Sequence, residues 1–269
     1  MKSDKKISMI RTRIEQRPGN FDTKFENLDA FFTSNYIFAS KFVKDKNCLD
    51  AGCGTGYGSK FLADAGASLV VGVDIDSKTI DKCIKNYEST ANLKFAMCDV
   101  THLNFKDETF DVVVSFEVIE HLVDYNLYIE EIRRVLKKGG LLILSTPNKN
   151  VFSPNLENPI IVEHFHEFYP DELYTFLKQH FEEVSLYGRH IINKDLSESE
   201  QNFRQSKKYA ITVMLSKNNF IRNSAKYVPY SIRKILSGCS ISFKNSDLHT
   251  SKENINDSYA LIATASKNN

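Results

Sequence analysis

The chain has 269 residues, of which 42% are hydrophobic and 26% are charged, so it is long enough for one large globular domain with an appended segment. Its formal net charge of +1 predicts no particular charged partner for the chain as a whole. The apolar runs at Leu69–Val73 and Leu141–Leu144 are far too short to cross a bilayer, and the polar N-terminus lacks the apolar core of a secretory signal. The five cysteines form no C-x-x-C pair, which predicts reduced thiols and a cytoplasmic protein.

Apolar patterning predicts alternating strands and helices after a polar arm at 1–24 that we expect to be mobile. A helix at about 28–44 comes first. The elements that follow are expected, in chain order, at Cys48–Ala51, Tyr57–Ala65, Leu69–Ile75, Lys78–Ser89 (with Ser77 as its N-cap), Leu93–Cys98, Phe110–Ser115, Leu127–Leu136, Leu141–Ser145, Pro170–His180, Val184–Tyr187 and Tyr259–Ala265. Such alternation is typical of a parallel sheet covered by helices on both faces.

These elements predict an α/β fold with a doubly wound, mostly parallel, seven-stranded sheet of the Rossmann-like kind. The ligand of such a sheet lies beyond the carboxyl ends of its strands. We place the core of the domain at 25–191 and its last strand and tail at 257–269. Between them we expect a helical insert at 192–256.

The insert breaks the alternation and is basic. It holds two predicted helices, near Gln201–Ser216 and Ser231–Leu236, and contains neither Asp nor Glu from 201 to 246. This positive stretch is either a solvated helical face or a surface for an anionic partner. A phosphate-bearing acceptor, an anionic surface at the inner membrane face and RNA are the alternatives, with RNA the least favoured.

A glycine-rich loop joins the first predicted strand to its helix, in the segment Leu49–Gly58. Closely spaced glycines let a backbone turn sharply and approach a ligand. The spacing fits neither the G-x-G-x-x-G dinucleotide fingerprint nor a Walker A loop. Asp50 at the mouth of the loop would repel a pyrophosphate, but it suits the amine and sulfonium cations of S-adenosylmethionine (SAM).

Two further carboxylates end the next two strands. Asp74 lies 22 residues past Gly52, where a carboxylate accepts both ribose hydroxyls of a nucleoside. Asp99 is placed to accept from an adenine amino group, and Ile75 and Val100 to flank the adenine ring. Three carboxylates at three successive strand ends therefore predict a SAM site.

Glu117, Glu120 and His121 follow the fourth strand, and a helical turn starting near Glu117 would place all three on one face, near the transferable methyl group. Three interpretations stay open. His121 can be a general base for an acceptor hydroxyl, or the cluster can simply hold the loop in position. Alternatively, Glu117, Glu120 and His121 bind a divalent metal that is completed by His164 or His166.

These motifs together resemble class I SAM-dependent methyltransferases, from Asp50 to about Tyr187. The matching segments are LDAGCGTGYG, VVGVDID, FAMCDVTHLNF, FDVVVSFEVIEHL and RRVLKKGGLLILSTPN. The resemblance implies SAM as cofactor, with Glu117 or its neighbours beside the methionine moiety. The predicted binding set is Asp50, Gly52, Cys53, Gly54, Gly56, Asp74, Ile75, Asp99, Val100 and Phe116. The Glu-Glu-His pattern is similar to patterns in metal-dependent O-methyltransferases of ubiquinone biosynthesis and in small-RNA 2′-O-methyltransferases.

The acceptor pocket is expected from parts outside the core sheet, with Tyr36, His164 and His166 as candidate substrate residues. The arrangement also resembles methyltransferases of bacterial surface-glycan and nucleotide-sugar pathways. That resemblance implies O-methylation of a sugar or glycan-precursor hydroxyl. O-methylation of a quinone precursor or other phenol, and RNA 2′-O-methylation, are the alternatives, and a non-enzymatic SAM-binding protein is disfavoured because the Glu-Glu-His cluster is present.

Overall fold

A computed structural model describes residues 30–161, 163–192 and 248–268. Its centre is one eight-stranded sheet with the order β3-β2-β1-β4-β5-β8-β6-β7. Strands β1 to β5 run parallel to one another, whereas β8 runs antiparallel to both β5 and β6. The strands are β1 Asn47–Ala51, β2 Leu69–Asp74, β3 Leu93–Met97, β4 Phe110–Phe116, β5 Leu136–Pro147, β6 Glu183–Ile191, β7 Leu248–Ser251 and β8 Ala260–Ser266.

Helices cover both faces of the sheet. They are α1 Ala30–Ala39, α2 Tyr57–Asp64, α3 Ser77–Asn86, α4 Tyr125–Val135, α5 Lys149–Phe152 and α6 Pro170–Lys178, and short 3-10 turns lie at Ser40–Phe42, Ile119–His121 and Ile255–Asp257. No helix among these described residues is both long and apolar enough to span a membrane.

Two apolar cores result, one on each face of the sheet. Alternate residues of β4 divide between them: Val113 joins the core under α4 and α6, whereas Val112 and Val114 join the core under α1 and α2. Because both faces are buried, the central strands are continuously apolar, as parallel strands between two helical layers require.

The fold class is as predicted, with one more strand than expected. The additional strand is β7 at Leu248–Ser251, which lies inside the segment predicted as a helical insert at 192–256, so the described end of that segment includes a strand. The last strand, β8, pairs with β6, the strand that contains Val184. The arm at 1–24, the two insert helices and the acid-free stretch lie outside the described residues.

Two local predictions were wrong. The side chain of Asp76, rather than Ser77, caps α3, because its carboxylate accepts the N–H of Lys78. Strand β5 begins at Leu136 instead of Leu141, because Leu136 pairs with Phe110 before a shift in the pairing register. The residues at 137–140 are typical of a turn, so the sequence did not indicate a strand there.

The order of the strands places the site. Strand β1 lies between β2 and β4. Strands β2 and β3 therefore extend the sheet on one side of β1, and β4 and β5 extend it on the other. A crevice therefore opens beyond the carboxyl ends of β1 and β4, which is where open α/β sheets bind ligands.

Candidate functional site

The glycine loop after β1 adopts a conformation that suits glycine. Gly52, Gly54 and Gly56 have φ of +86°, +52° and +76°, a region that costs other residues energy. A Cβ on Gly52 would also come within 2.4 Å of Val118 Cγ2, on the segment that follows β4. The loop thus passes close beneath the β4 segment, and its backbone lines the crevice.

The loop is fastened to the end of β2. The N–H groups of Gly52 and Cys53 both donate to the Val73 carbonyl, at 2.8 and 2.9 Å. The N–H of Gly54 donates to Asp74 Oδ2 at 3.0 Å, and Asp74 Oδ1 accepts the Asp76 N–H at 3.0 Å. Asp74 therefore shapes the loop, a structural role in addition to the ribose contact that we predict for it.

Asp99 and the residues predicted to flank the adenine lie at the same edge. Asp99 Oδ1 accepts from both the N–H and the hydroxyl of Thr101, at 2.9 and 2.7 Å. Val100 is buried and Ile75 is half-buried. The predicted cofactor contacts thus follow the ends of two adjacent parallel strands, β2 and β3.

Asp50 does not lie at the mouth of the loop, as the sequence suggested, but is fully buried behind it. Its carboxylate accepts the hydroxyl of Ser59 at 2.7 Å and the hydroxyl of Tyr36 at 3.2 Å. Burial raises the pKa of Asp50 to about 7, although the bonds from Ser59 and Tyr36 favour the charged form. Asp50 can therefore act on a bound cation through its charge, which changes near neutral pH.

Tyr36 contacts Asp50 beside the glycine loop, and its role toward the acceptor stays a prediction. Its ring is 5% exposed and packs edge-on against Phe116, with 4.9 Å between ring centroids. A Cβ on Gly58 would lie 1.9 Å from Tyr36 Cζ, so glycine at the start of α2 makes room for the ring. Helix α1 is thereby held against the glycine loop.

Glu117 lies apart from the Glu120 and His121 side chains, so the predicted single face does not form. Glu117 has φ of +56°, and the turn that follows is a 3-10 helix rather than an α-helix starting at Glu117. Ser145 Oγ donates to Glu117 Oε1 at 2.7 Å, whereas Thr146 Oγ1 donates to Glu120 Oε2 at 3.1 Å. Successive residues of a strand face opposite sides of a sheet, so β5 holds the two carboxylates toward different faces.

Glu120, His121 and His164 form a compact cluster. Each offers one ligand atom, and these atoms lie within 4.8 Å of one another. Glu120 and His164 are buried, and the two imidazole centroids are 4.9 Å apart. The loop carrying His164 is attached to the turn that carries Glu120, because the Phe165 N–H donates to the Glu120 carbonyl at 2.7 Å.

Both imidazoles in the cluster are oriented by an acceptor at Nδ1. His121 Nδ1 lies 3.1 Å from the Glu163 carbonyl oxygen, and His164 Nδ1 lies 2.8 Å from Glu167 Oε1. An acceptor at Nδ1 fixes the proton there and leaves Nε2 with a lone pair in the neutral ring. Ligand histidines of metal sites are oriented in this way, so the cluster fits a divalent cation as well as a general base.

His166, the other candidate for the cluster and the acceptor, is turned elsewhere. Its Nε2 lies 2.7 Å from Glu172 Oε1, at the start of α6. The ring packs against Phe168 with 4.4 Å between centroids. His164, rather than His166, thus completes the cluster, and Glu117 is not part of it.

Several residues near the candidate site were not predicted from the sequence. Glu167 follows His164 by three positions, a spacing that could have indicated a carboxylate–imidazole pair. Asn35, Ser145 and Arg189 are connected to Glu117 by hydrogen bonds. They lie more than 40 residues apart in the chain and share no local motif.

Solved structures place the fold among methyltransferases. A phosphoethanolamine N-methyltransferase from Haemonchus contortus, solved with SAM, superposes with a TM-score of 0.58 at 18% identity, covering 98% of this chain and 57% of that one. At that identity the likeness concerns the fold. The molecule thus has the Rossmann-like fold of class I SAM-dependent methyltransferases.

Sequence comparison identifies the domain itself. Residues 49–144 match the methyltransferase domain family. A probable SAM-dependent methyltransferase from Mycobacterium tuberculosis is 38% identical over 49% of this chain and 47% of its own length. A ubiquinone biosynthesis O-methyltransferase from Coxiella burnetii is 35% identical over 43% and 49%. Residues 49–144 thus match a methyltransferase domain and are similar to SAM-dependent enzymes, and the alignments span about half the length of these curated relatives.

Proposed function

We propose that the chain is a SAM-dependent O-methyltransferase whose acceptor is a hydroxyl of a sugar or glycan precursor. The observation that carries the proposal is the Glu120–His121–His164 cluster at the same sheet edge as the glycine loop. SAM, when bound, supplies the methyl group as an electrophile on a sulfonium cation. The glycine loop and the carboxylates of Asp50, Asp74 and Asp99 bind and orient that cofactor.

The chemistry of the cluster favours an oxygen nucleophile. A neutral amine attacks without prior loss of a proton, whereas a hydroxyl needs its proton removed during or before methyl transfer. His121 Nε2 can accept that proton, because the Glu163 carbonyl keeps the other ring nitrogen protonated. A divalent metal held by Glu120, His121 and His164 would instead lower the pKa of the hydroxyl.

A phenolic hydroxyl of a quinone precursor is the second candidate. It is favoured by the relative from Coxiella burnetii, which is a ubiquinone biosynthesis O-methyltransferase. A sugar hydroxyl has a much higher pKa than a phenol and gains more from a base or metal, which favours the sugar. The stretch at 201–246 contains no acidic residue and is positively charged, so we further propose that the sugar carries a phosphate, as nucleotide sugars do.

The test is methyl transfer from labelled SAM by the full chain. The acceptor panel contains UDP-glucose, dTDP-glucose, a lipid-linked glycan, 3,4-dihydroxybenzoate and an RNA oligonucleotide, each assayed with EDTA and with added Mg²⁺, Mn²⁺ or Zn²⁺. We expect label in the sugar fraction, and Glu120→Gln serves as the matched inactive variant. Label in the catechol or the RNA alone would overturn the sugar assignment. Failure of the folded chain to label any hydroxyl acceptor in the panel would contradict the proposal as a whole.

A further inference from the structure

A chain of four buried side chains runs from strand β6 to the Glu117 carboxylate. Arg189 Nη1 donates to Asn35 Oδ1 at 2.7 Å, Asn35 Nδ2 donates to Ser145 Oγ at 3.0 Å, and Ser145 Oγ donates to Glu117 Oε1 at 2.7 Å. Arg189, Asn35 and Ser145 are each at most 1% exposed, and Glu117 is 8% exposed. Arg189, Asn35 and Ser145 lie on β6, α1 and β5, and Glu117 follows β4, so no local motif connects them.

These four side chains form a hydrogen-bond relay from Arg189 to Glu117, and Arg189 determines the direction of every hydrogen bond in it. A guanidinium has donors only, so Arg189 must face the amide oxygen of Asn35. The amide nitrogen of Asn35 then faces Ser145, whose oxygen accepts this N–H and whose proton is left for Glu117. The carboxylate can only accept when ionised, so the relay ends there.

Arg189 is itself tightly held and keeps its charge. It also donates to Ser34 on α1 and to Thr250 Oγ1 on β7, the latter at 3.4 Å. Burial lowers the pKa of Arg189 to about 10, and the negative charge of Glu117 opposes the decrease. At neutral pH a buried cation thus lies behind a relay that ends on a buried anion, and low-dielectric surroundings strengthen such aligned bonds.

The other end of the relay lies at the crevice. Glu117 follows β4 directly in a left-handed conformation, one residue before Val118, whose side chain lies over Gly52 of the glycine loop. Its backbone N–H donates to the Ser145 carbonyl at 3.1 Å, so backbone and side chain are both fixed to the end of β5. Such fixation of a residue in a conformation that costs energy is typical of functional sites.

We propose that Arg189, Asn35 and Ser145 are positioning residues that hold the Glu117 carboxylate at the methyl-transfer position, where it receives a hydrogen-bond donor of the bound ligand. The proposal rests on the SAM binding proposed above. It separates two adjacent residues of α1: Asn35 acts on Glu117, whereas Tyr36 acts on Asp50 at 3.2 Å on the cofactor side.

The experiment uses two cofactor analogues and needs no acceptor. In sinefungin a carbon that bears an amine replaces the sulfonium sulfur, so the amine takes the place of the methyl group, whereas S-adenosylhomocysteine has no group at that position. The ratio of their dissociation constants, measured by calorimetry on the full chain, reports on a carboxylate beside the methyl position. Thermal unfolding of each variant is measured in parallel.

We expect the wild type to prefer sinefungin and Glu117→Gln to lose about ten- to a hundredfold of that preference, since a charged hydrogen bond is lost. Ser145→Ala and Asn35→Leu should each reduce it by about three- to tenfold. They interrupt the relay from different elements, so each checks the other if one variant folds poorly. Tyr36→Phe should weaken both analogues alike, and Ser40→Ala, which removes an exposed hydroxyl that contacts only the Ile37 carbonyl among described residues, should change neither.

An unchanged preference in folded Glu117→Gln would overturn the ligand contact of Glu117. A changed preference in Glu117→Gln, but not in Ser145→Ala or Asn35→Leu, would overturn the role of the relay. A chain that shows the expected ratios and yet methylates no hydroxyl acceptor would contradict the proposed function alone, so the two failures are distinguishable.

Discussion

The carboxyl edge of the sheet carries the two halves of the proposed site, which we call the cofactor half and the acceptor half, and they are assembled differently. The cofactor half takes Asp50, the glycine loop and Asp74 from one continuous stretch of the chain. The acceptor half joins Glu120 and His121 to His164 and Glu167, which lie more than 40 residues further on. The first half is made of backbone turns and local hydrogen bonds, and the second of side chains that meet only in the folded protein.

Because of this difference, substitutions in the two halves should have different effects. The glycine loop is constrained by its own backbone and by Val118, so substitutions there affect folding and cofactor binding together. The acceptor half depends on pairs such as His164–Glu167, which can be altered one side chain at a time. The variants below test that separation, from the largest expected effect to the smallest.

Glu120→Gln should abolish most of the activity while cofactor binding persists. In the proposed function Glu120 either binds the metal or stabilises the protonated His121 ring, whose Nε2 lies 3.9 Å from Glu120 Oε1, and loss of either role should cost about 10²–10⁴ in rate. Steady-state turnover and SAM calorimetry measure the two effects separately, with Glu130→Gln on the exposed side of α4 as the control. Loss of SAM affinity parallel to the loss of turnover would show that the two halves are not separable.

Glu167→Gln should weaken divalent metal binding by about 10–100-fold, because the carboxylate that orients His164 becomes a poorer acceptor. Titration of the chain with Mn²⁺ or Zn²⁺ measures this. Glu172→Gln is the matched control, since Glu172 pairs with His166 at a similar distance outside the cluster. Equal weakening in both variants, or no metal binding by the wild type, would remove the metal and leave the general-base interpretation.

SAM affinity should decrease as the pH falls through about 7, the value to which burial raises the pKa of Asp50. Only the ionised carboxylate attracts a cation, so we expect a decrease of about tenfold between well above and well below that pH. Asp50→Asn should bind weakly with a flat profile. A wild-type profile as flat as that of Asp50→Asn would contradict the charge assignment.

The same group has an opposite effect on stability. Because the folded pKa of about 7 lies above the ordinary value of 3.8, folding takes up a proton between these values. The contribution of Asp50 to the free energy of unfolding therefore falls as the pH rises from about 4 to 7. Asp50→Asn without SAM should gain stability over the wild type at pH 8 and not at pH 4, as thermal unfolding would show.

Gly58→Ala should destabilise the chain more than Gly54→Ala. The new Cβ at Gly58 would overlap the Tyr36 ring, whereas at Gly54 no described atom lies within 4 Å and only the positive φ opposes alanine. We expect losses of about 2–3 kcal/mol and about 1 kcal/mol, respectively, in urea unfolding. Equal losses would mean that α1 does not pack on the start of α2 through Tyr36.

The fold and the cofactor half were predictable because their signals are local. Apolar runs predicted strands β1 to β4 within one or two residues of their observed ends. The spacing of the loop glycines predicted a sharp turn, and Gly52, Gly54 and Gly56 do have positive φ. The prediction was wrong for the position of Asp50, which is buried behind the loop instead of lying at its mouth. Its contact with Tyr36, which comes from another element, could not be predicted from local signals.

The acceptor half was only partly predictable. Glu120 and His121 were recognised by their spacing, but the same spacing wrongly included Glu117, because an α-helical turn was assumed where the chain adopts a left-handed residue and a 3-10 turn. No sequence signal chose His164 over His166. Hydrogen bonds from the loop to the Glu120 carbonyl and from His166 to Glu172 decide that choice.

The amino-acid sequence by itself determined the class of fold, the glycine loop and the carboxylates at successive strand ends, since each depends on residues within a few positions of one another. Tertiary structure alone decided which carboxylate faces which side of the sheet, which histidine joins the cluster, and that Arg189 is connected to Glu117. The physical reason is that a side-chain hydrogen bond needs its partners within about 3 Å, and only the packing of distant strands and helices brings such partners together.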